Sequence, residues 1–150
     1  HENMDDFLKE SFNNGITYFK PHGSHMVSDE DLVLKADDNI IDLVKEGVPT
    51  PVLNKAMMFD CNKITNMNYS LGCHISNPEG DVKIYHEKDL KMLHYKFIGL
   101  ENHLHKCKGR GDRLSDFNIK HNAATYYLYS DDENVIDYRN YLSKREKIID

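Results

Sequence analysis

Apolar side chains near the start of the chain recur at helical spacing and then give way to a β-like run. They occupy positions 4, 7, 8 and 12, and Asn13-Asn14-Gly15 follows as a left-handed stop signal. This pattern predicts a helix that ends at the glycine. The β-branched and aromatic run Ile16–Phe19 then predicts a short strand. Helix, glycine and strand together indicate a compact α/β unit.

The middle of the chain alternates weak strand signals with polar turns. Residues 22–54 are mixed in character, with acidic runs and prolines at positions 49 and 51, and we expect a long, partly irregular connection there. Short apolar runs beyond this connection predict further strands. These runs are Lys55–Phe59, Met67–Leu71, Val82–Tyr85 and Met92–Lys96.

The last third of the chain is predicted to be helical. One helix is expected over Ile98–Lys108, and Gly109-Arg110-Gly111 predicts a break before a second short helix. The strongest helix signal follows Ser130, which forms a capping-box pattern with Glu133. The apolar positions that predict a docking face on this final helix are Val135, Ile136, Tyr138 and Leu142.

Composition limits the class of protein. A chain of 150 residues with 39% apolar and 29% charged residues is typical of a single globular domain. The formal charge of −6 argues against nucleic acid as a partner. No apolar run approaches the ~20 residues that span a bilayer, so we expect no membrane span. Three cysteines are too few for a disulfide framework and indicate a reducing, cytoplasmic compartment.

The densest polar segment is Gly72–Gly80. It contains two glycines, a proline, His74 and Asn77 directly after a strand-like run. Glycine lets a backbone approach a ligand closely, and an imidazole binds metals or carries protons. These features are typical of a ligand-facing loop, whereas Asn77-Pro78-Glu79-Gly80 also fits a plain surface turn. Composition leaves both interpretations open.

His94 and Lys96 stand two residues apart in a predicted strand, so they share one face. An ammonium group and a metal-binding imidazole on one face suit a diphosphate. A histidine in such an apolar run is also common as a hydrogen-bonded core residue. The pair is therefore a candidate anion or metal site, with a structural role as the alternative.

Two further clusters admit a functional and a structural interpretation. His103 and Cys107 fall at i and i+4 on the predicted helix and raise the possibility of zinc, but the paired spacing of structural zinc sites is absent. The acidic run Asp29–Asp31 can hold a catalytic base or form a solvated helix start capped by Ser28. The other zinc-ligand candidates are His105, Cys61, Cys73 and His74.

Several short patterns occur in a fixed order over about residues 2–120. In chain order they are Gly15-Ile16, Pro21-x-Gly23-x-x-Met26-Val27-Ser28, Asn54–Phe59, Asn68-Tyr69-x-x-Gly72-Cys73-His74, Asn77–Val82, Leu93–Lys96, Gly99–Glu101 and Arg113–Ser115. This series resembles the second half of bacterial and viral glycosyltransferases of the family 2 type, which have a GT-A fold. Those enzymes carry a P-x-G-x-x-M-V-S segment, a G-C-H-x-x-x-P-x-G loop and an L-H-Y-K-Y/F segment in this order.

The resemblance implies a fold and a boundary. Residues 1–120 would be the C-terminal part of an α/β, GT-A-like (Rossmann-like) domain with a mixed sheet and terminal helices, and residues 121–150 a helical extension. The nucleotide-binding half, which ends in an acidic D-x-D-E-F metal motif, is expected upstream of residue 1, so we expect the chain alone to be inactive. Gly23-Ser24-His25-Met26 matches the remnant of a removed affinity tag, but it also fits G-x-x-M. We interpret it as native, and His25 then has no assigned role.

The resemblance also implies roles in moving a sugar from a nucleotide-sugar donor to a glycan or protein hydroxyl acceptor. His94 is the first candidate ligand for Mn²⁺ or Mg²⁺, and His74 is its competitor. Lys55 and Lys96 are candidates for neutralising phosphate oxygens. Asn77, in the same loop as His74, is a candidate for substrate contact.

The general base is expected among the acidic residues after the Met-Val-Ser segment, Asp29 and Glu30. Ala56 departs from the family pattern, which has a proline beside the lysine. The alternative function is a non-catalytic module of this fold that binds a glycan or a partner protein, and a zinc-stabilised module comes third. An apolar face where the other half packs would favour self-association.

Overall fold

The computed structural model describes residues 3–85 and 89–150, apart from the side chain of Leu71. Its helices are α1 (Met4–Asn13), α2 (Ile40–Leu43), α3 (Leu100–Gly111), α4 (Asp116–Lys120) and α5 (Asp131–Leu142). Its strands are β1 (Tyr18–Phe19), β2 (His22–Val27), β3 (Glu46–Pro49), β4 (Met58–Phe59), β5 (Ile64–Asn66), β6 (Glu79–Gly80), β7 (Ile84–Tyr85), β8 (Lys91–Phe97) and β9 (Glu146–Lys147). Short 3₁₀ turns occur at Pro51–Leu53, Leu71–Cys73 and Thr125–Leu128.

The described strands form small sheets in the orders β4-β1-β7, β8-β2-β3-β9 and β5-β6. The first of these is mixed, because β1 pairs antiparallel with β4 and parallel with β7. Along the chain, most strands come before residue 98, and three helices follow one another after it. The predicted α/β class with a mixed sheet and helices near the C-terminus is confirmed at this level.

The chain divides into two compact units that are interleaved in sequence. The first unit consists of His1–Ser24 and Pro49–Leu93, and the second of His25–Val48 and His94–Asp150. The sequence analysis expected one domain to residue 120 and an extension beyond it. Residues 121–150 belong to the second unit, together with segments from much earlier in the chain. The domain boundary at residue 120 within a larger protein stays a prediction.

In the first unit, α1 ends where the sequence predicts, and its start has a side-chain cap. The side chain of Asn3 accepts a hydrogen bond from the amide of Asp6 at 2.9 Å and caps the helix. Gly15 follows the helix with a φ of +79°, a left-handed conformation that glycine adopts without strain. The helix and β1 both contribute side chains to one hydrophobic cluster. The buried members of this cluster are Phe7, Phe19 and Leu90.

In the second unit, α5 packs on the sheet through aromatic side chains. Ser130 and Glu133 form the predicted capping box, with both reciprocal hydrogen bonds present. The rings of Phe97 and Tyr141 are stacked with their centroids 4.2 Å apart. The fully buried members of this core are Val27, Phe97 and Tyr138.

Two parts of the predicted fold are wrong in the middle of the chain. We expected a long, partly irregular connection over residues 22–54; residues 28–39 are irregular, but β2 and β3 on either side of them are strands of the four-stranded sheet. Their His-Gly-Ser-His and Glu-Gly sequences have low strand propensity, so pairing with neighbours determines them. The strand predicted over Met67–Leu71 is also absent: β5 ends at Asn66, and Asn68 has a φ of +46°.

Two details of the helical third are also corrected. The helix α3 continues through the expected break to Gly111. A Cβ atom at Gly111 would lie 2.6 Å from the carbonyl oxygen of Tyr127, so this glycine permits close packing and does not end the helix early. On α5, Asn134 and Tyr138 are buried, whereas Ile136 is 69% exposed and lies off the docking face.

Candidate functional site

Two histidine side chains meet in the second unit. The Nδ1 atoms of His25 and His94 are 2.9 Å apart, and the ring centroids are 4.9 Å apart. Strands β2 and β8, which carry them, are neighbours in the sheet. Two ring nitrogens at this distance share one proton, so one imidazole donates and the other accepts. This contact fixes the orientation of both rings.

The environment of His25 keeps its imidazole neutral. Its side chain is 8% exposed and packs edge-on against the rings of Phe97 and Tyr141, at centroid distances of 5.7 and 5.4 Å. Burial, then the positive charge of Lys96, then His94, lower the pKa of His25 from 6.5 to about 3. A neutral His25 can accept a hydrogen bond at Nδ1. When His94 is the donor, the Nε2 atom of its neutral ring carries the lone pair.

Lys96 completes this cluster, which we call the imidazole–lysine cluster (His25, His94 and Lys96). Its side chain is only 12% exposed, and its Nζ lies 3.9 Å from Oδ2 of Asp137. The ammonium group also sits 4.5 and 4.4 Å from the ring centroids of Phe97 and Tyr126. Burial lowers the pKa of Lys96, and Asp137 partly opposes this change.

The imidazole–lysine cluster therefore combines an oriented imidazole with a partly desolvated cation. Electrostatic interactions of such groups are stronger than those of the same groups in water. Lys96 belongs to the same neighbourhood as His25, because its ammonium group and the His25 ring both contact the rings of Phe97 and Tyr141. Chemically, the arrangement can bind an anion and can offer an imidazole nitrogen to a metal ion.

His103 and Cys107 form a second buried contact, one turn apart on α3. The Nε2 atom of His103 is 3.6 Å from Sγ of Cys107, and its Nδ1 is 3.4 Å from the carbonyl oxygen of Lys96. Burial lowers the pKa of His103 and raises the pKa of Cys107. Both groups are therefore neutral near pH 7, and the pair is a core contact and not an activated thiolate.

The described residues do not assemble a metal site by themselves. No group of three or more His, Cys, Asp or Glu side chains within residues 3–85 and 89–150 is arranged to hold a metal ion. The zinc interpretation of His103 and Cys107 thus lacks further ligands in this part of the chain. The other cysteine candidates, Cys61 and Cys73, are exposed free thiols of the first unit.

The hydroxyl group of Tyr138 organises the segment that carries the predicted bases. It lies 3.0 Å from the carbonyl oxygen of Ser28 and 3.2 Å from that of Phe97. The hydroxyl of Ser28 in turn accepts a hydrogen bond from the amide of Gly99 at 2.8 Å. All of these groups are buried. The segment after Ser28 is therefore held by α5, the end of β8 and the start of α3.

Asp29 and Glu30 are both paired with arginines near the C-terminus. Glu30 receives two hydrogen bonds from Arg139, at 2.8 and 3.2 Å, and these lower the pKa of its carboxyl group. Asp29 pairs through one oxygen with Arg145 at 2.9 Å, and its side chain stays 71% exposed. A bidentate pair makes Glu30 the weaker base, so Asp29 is the better placed of the two candidates.

In the first unit, two of the predicted site residues, Lys55 and His74, bind main-chain oxygens. The Nζ of Lys55 donates to the carbonyl oxygen of Gly72 at 3.0 Å. Nδ1 of His74 lies 3.0 Å from the carbonyl oxygen of Val52. These bonds tie the 3₁₀ turn at residues 71–73 to the segment around residues 52–55. His74 therefore has the structural role that composition left open for its loop.

The loop that contains Asn77 is closed by its neighbours. The amide of Asn77 donates to the carbonyl oxygen of Met67 at 3.0 Å. The carbonyl oxygen of Asn77 accepts a hydrogen bond from Nδ2 of Asn68 at 3.1 Å. The same Nδ2 atom of Asn68 also donates to the carboxylate of Glu79 at 2.8 Å. Asn68 thus stabilises the turn that the Asn-Pro-Glu-Gly sequence predicts. The side chain of Asn77 is exposed.

The predicted site residues fall into two groups. Those of the first unit are Lys55, His74 and Asn77, and those of the second unit are Asp29, Glu30, His94 and Lys96. Within the second unit, the structure brings His94 and Lys96 together around His25. The sequence analysis gave His25 no role, and this is corrected by its contact with His94. The only sequence signal was the spacing of His25 and Val27, which lie two residues apart and so share one face of β2. The sequence does not reveal that β2 pairs with β8, so the contact with His94 could not be predicted.

Comparisons with known proteins identify no relative: no protein-family model, curated protein or solved structure matches this chain. Among the described residues, no helix has the length and apolar character required to cross a bilayer.

Proposed function

We propose that this chain is the acceptor-side portion of a metal-assisted glycosyltransferase of the GT-A type, which moves a sugar from a nucleotide-sugar donor to a hydroxyl acceptor. The observation that carries this proposal is the bond between His25 and His94. Metal-binding histidines are generally oriented by a hydrogen bond from the second ring nitrogen. His25, neutral and buried, is such a partner for His94.

The donor set fits a divalent cation only in part. His94 would be one ligand, and the described residues contain no group of three that could complete a site. The remaining ligands would come from the acidic motif that the resemblance locates before residue 1. When bound there, Mn²⁺ or Mg²⁺ would neutralise charge that develops on the departing diphosphate. Lys96 would add a positive charge at the same strand.

The transfer requires a base for the acceptor hydroxyl. We assign this role to Asp29, since its carboxylate is exposed and pairs through a single oxygen with Arg145. The hydroxyl proton would pass to Asp29 while the hydroxyl oxygen bonds to the anomeric carbon and the bond to the diphosphate oxygen breaks. Tyr138 and Ser28 would hold the base in position through the main chain.

Turnover by the intact protein tests this function. Release of nucleoside diphosphate from a panel of nucleotide sugars is measured with Mn²⁺ present, for the wild type, His94→Ala and His94→Gln. We expect both variants to lose about a hundredfold or more in rate, as enzymes do on loss of one charge-stabilising group. His121→Gln, at an exposed position on the same unit, is the matched control and should retain the wild-type rate.

Two results would contradict the proposal. Equal rates in wild type and both His94 variants would remove His94 from the site. No release from any nucleotide sugar, by a protein that still binds a glycan, would favour the non-catalytic module that the sequence analysis kept as the alternative.

A further inference from the structure

A cavity in the second unit is lined by none of the residues of the imidazole–lysine cluster. It has a volume of about 390 Å³, which is within the range of small-molecule sites. One wall is aliphatic and consists of the segment Leu32–Leu34 and Ile98. We call it the α3 cavity, because its other wall is the beginning of α3. Val33 and Leu34 are 73% and 39% exposed, so the aliphatic wall is open to a ligand.

The wall on α3 is polar. Glu101, Asn102 and His105 line it, at helix positions i, i+1 and i+4. The Nδ2 atom of Asn102 donates to the carbonyl oxygen of Ile98 at 3.0 Å, which fixes the orientation of this amide. A carboxylate, an oriented amide and an imidazole provide several hydrogen-bond acceptors and a donor side by side.

The two walls are joined by main-chain contacts, so the cavity is built into the fold. The amide of Leu100 donates to the carbonyl oxygen of Glu30 at 2.9 Å, which joins the segment to the start of α3. Within the segment, the amide of Leu32 donates to the carbonyl oxygen of Asp29 at 3.3 Å and closes a turn. Gly99 has a φ of +63°, and a Cβ atom at this position would clash with the carbonyl oxygen of Leu32. Only glycine therefore permits this approach of the segment to the start of α3.

The lining determines which ligands fit. An aliphatic body is favoured by the exposed apolar wall. An anionic head group would meet the carboxylate of Glu101, with Asp31 close by in the sequence of the opposite wall. A quaternary ammonium head group would find none of the aromatic rings that usually hold such groups among these lining residues, and it has no N–H or O–H group to donate to Glu101, Asn102 and His105. A neutral head group with several hydroxyls satisfies the polar wall without either cost.

We propose that the α3 cavity binds a neutral amphiphile, with a hydroxyl-rich head such as a sugar ring on Glu101, Asn102 and His105, and an alkyl or similar apolar part on Leu32–Leu34 and Ile98. The further statement that this ligand is the hydroxyl acceptor rests on the proposed function. Binding itself does not, because it needs neither nucleotide nor metal.

The test is a titration of the chain with four probes below their micellar concentrations. They are octyl β-glucoside, methyl β-glucoside, octyl sulfate and octyltrimethylammonium, and binding is followed by the methyl resonances of Leu32, Val33, Leu34 and Ile98. We expect saturable shifts with octyl β-glucoside and dissociation constants at least about tenfold weaker for the other three, since each lacks one of the two contacts or carries a charge.

Matched variants locate the site. Val33→Asp should weaken octyl β-glucoside binding about tenfold, because it places a charge on the apolar wall. Ile136→Asp is the control, since Ile136 is similarly exposed, at 69%, and lies on α5 outside the lining. Equal weakening by both variants, equal binding of all octyl probes, or the absence of saturable shifts would overturn the proposal. Binding of octyl β-glucoside is measured without nucleotide or metal, so it does not depend on whether the turnover assay detects diphosphate release. Failure of the proposed function and failure of this proposal can therefore be distinguished.

Discussion

The two units use the same residue types in opposite ways. In the first unit, Lys55 and His74 lie near the surface and bind main-chain oxygens of their own loops. In the second unit, His25, His94 and Lys96 lie together in a largely buried cluster, and the pKa values of His25 and Lys96 are lowered by burial. Residue type and spacing therefore do not distinguish a loop-stabilising lysine or histidine from one with altered chemistry. Burial and neighbours do.

This difference has a functional consequence. Groups with perturbed pKa values and specific partners are concentrated at functional sites, although structural networks produce them too. The second unit contains such groups in His25 and Lys96, which also contact the same aromatic ring, that of Phe97. The proposed chemistry is accordingly assigned to the second unit.

The largest expected contrast between the units is in thiol reactivity. Cys61 and Cys73 are exposed in the first unit, whereas Cys107 is 2% exposed in the second and burial raises its pKa. Alkylation requires an accessible thiolate, so iodoacetamide should modify Cys107 at least about a thousandfold more slowly than the other two. Mass spectrometry of the labelled peptides measures this. Rapid labelling of Cys107 in the folded protein would show that the core of the second unit is open.

The core of the second unit should be the most sensitive part of it to truncation. Phe97 is fully buried and contacts His25, Tyr138 and Tyr141. Phe97→Ala should lower the free energy of unfolding by about 3–5 kcal/mol, because it leaves a cavity and removes ring contacts. Ile136→Ala should change it by less than about 0.5 kcal/mol, since this side chain is exposed. Urea denaturation measures both, and similar effects would contradict the assigned core.

Buried histidines should make the second unit acid-sensitive. His25 has a folded-state pKa of about 3 against 6.5 when unfolded, and the pKa of His103 is lowered as well. The unfolded chain therefore binds protons first, and the stability present above pH 6.5 declines as the pH falls toward 3. His25 alone contributes a slope of up to about 1.4 kcal/mol per pH unit.

Denaturation between pH 6.5 and 5 in the presence of EDTA measures this slope. The slope of the free energy of unfolding against pH gives the number of protons taken up on unfolding. His25→Gln should lower this number by close to one, and His121→Gln should leave it unchanged. An unchanged slope in His25→Gln would mean that His25 is not held neutral.

Only small stability effects are expected from the candidate residues of the first unit. Lys55→Ala and His74→Ala each remove one hydrogen bond to a main-chain oxygen near the surface, which should cost less than about 1 kcal/mol. Thermal denaturation measures this. A loss as large as that of Phe97→Ala would remove the contrast between the two units.

The sequence correctly predicted those elements that are determined by residues close to one another in the chain. The capping box at Ser130, the glycine after α1 and the apolar run of β8 each act within a few residues, and these elements are confirmed. Strand β2 was not predicted, because its Gly-Ser-His sequence becomes a strand only through its neighbours in the sheet. Gly111 was taken as a breaker because its contact with Tyr127, sixteen residues away, is not visible in the sequence.

The same limit applies to the site. His94 and Lys96 were selected from their spacing on one strand, which is local information. His25 and Asp137 were missed because their contacts depend on which strands and helices pack together. The pairing of Asp29 and Glu30 with Arg145 and Arg139 was hidden for the same reason, since more than a hundred residues separate the partners.

The central claim is that His94 belongs to a metal-dependent diphosphate site, and calorimetry tests it most directly. Nucleoside diphosphates are titrated with and without Mn²⁺ into the intact protein and its His94→Ala and His121→Ala variants. We predict binding that requires Mn²⁺, weakens at least about tenfold in His94→Ala, and is unchanged in His121→Ala. Equal binding in all three proteins would contradict the account, as would binding that does not depend on the metal.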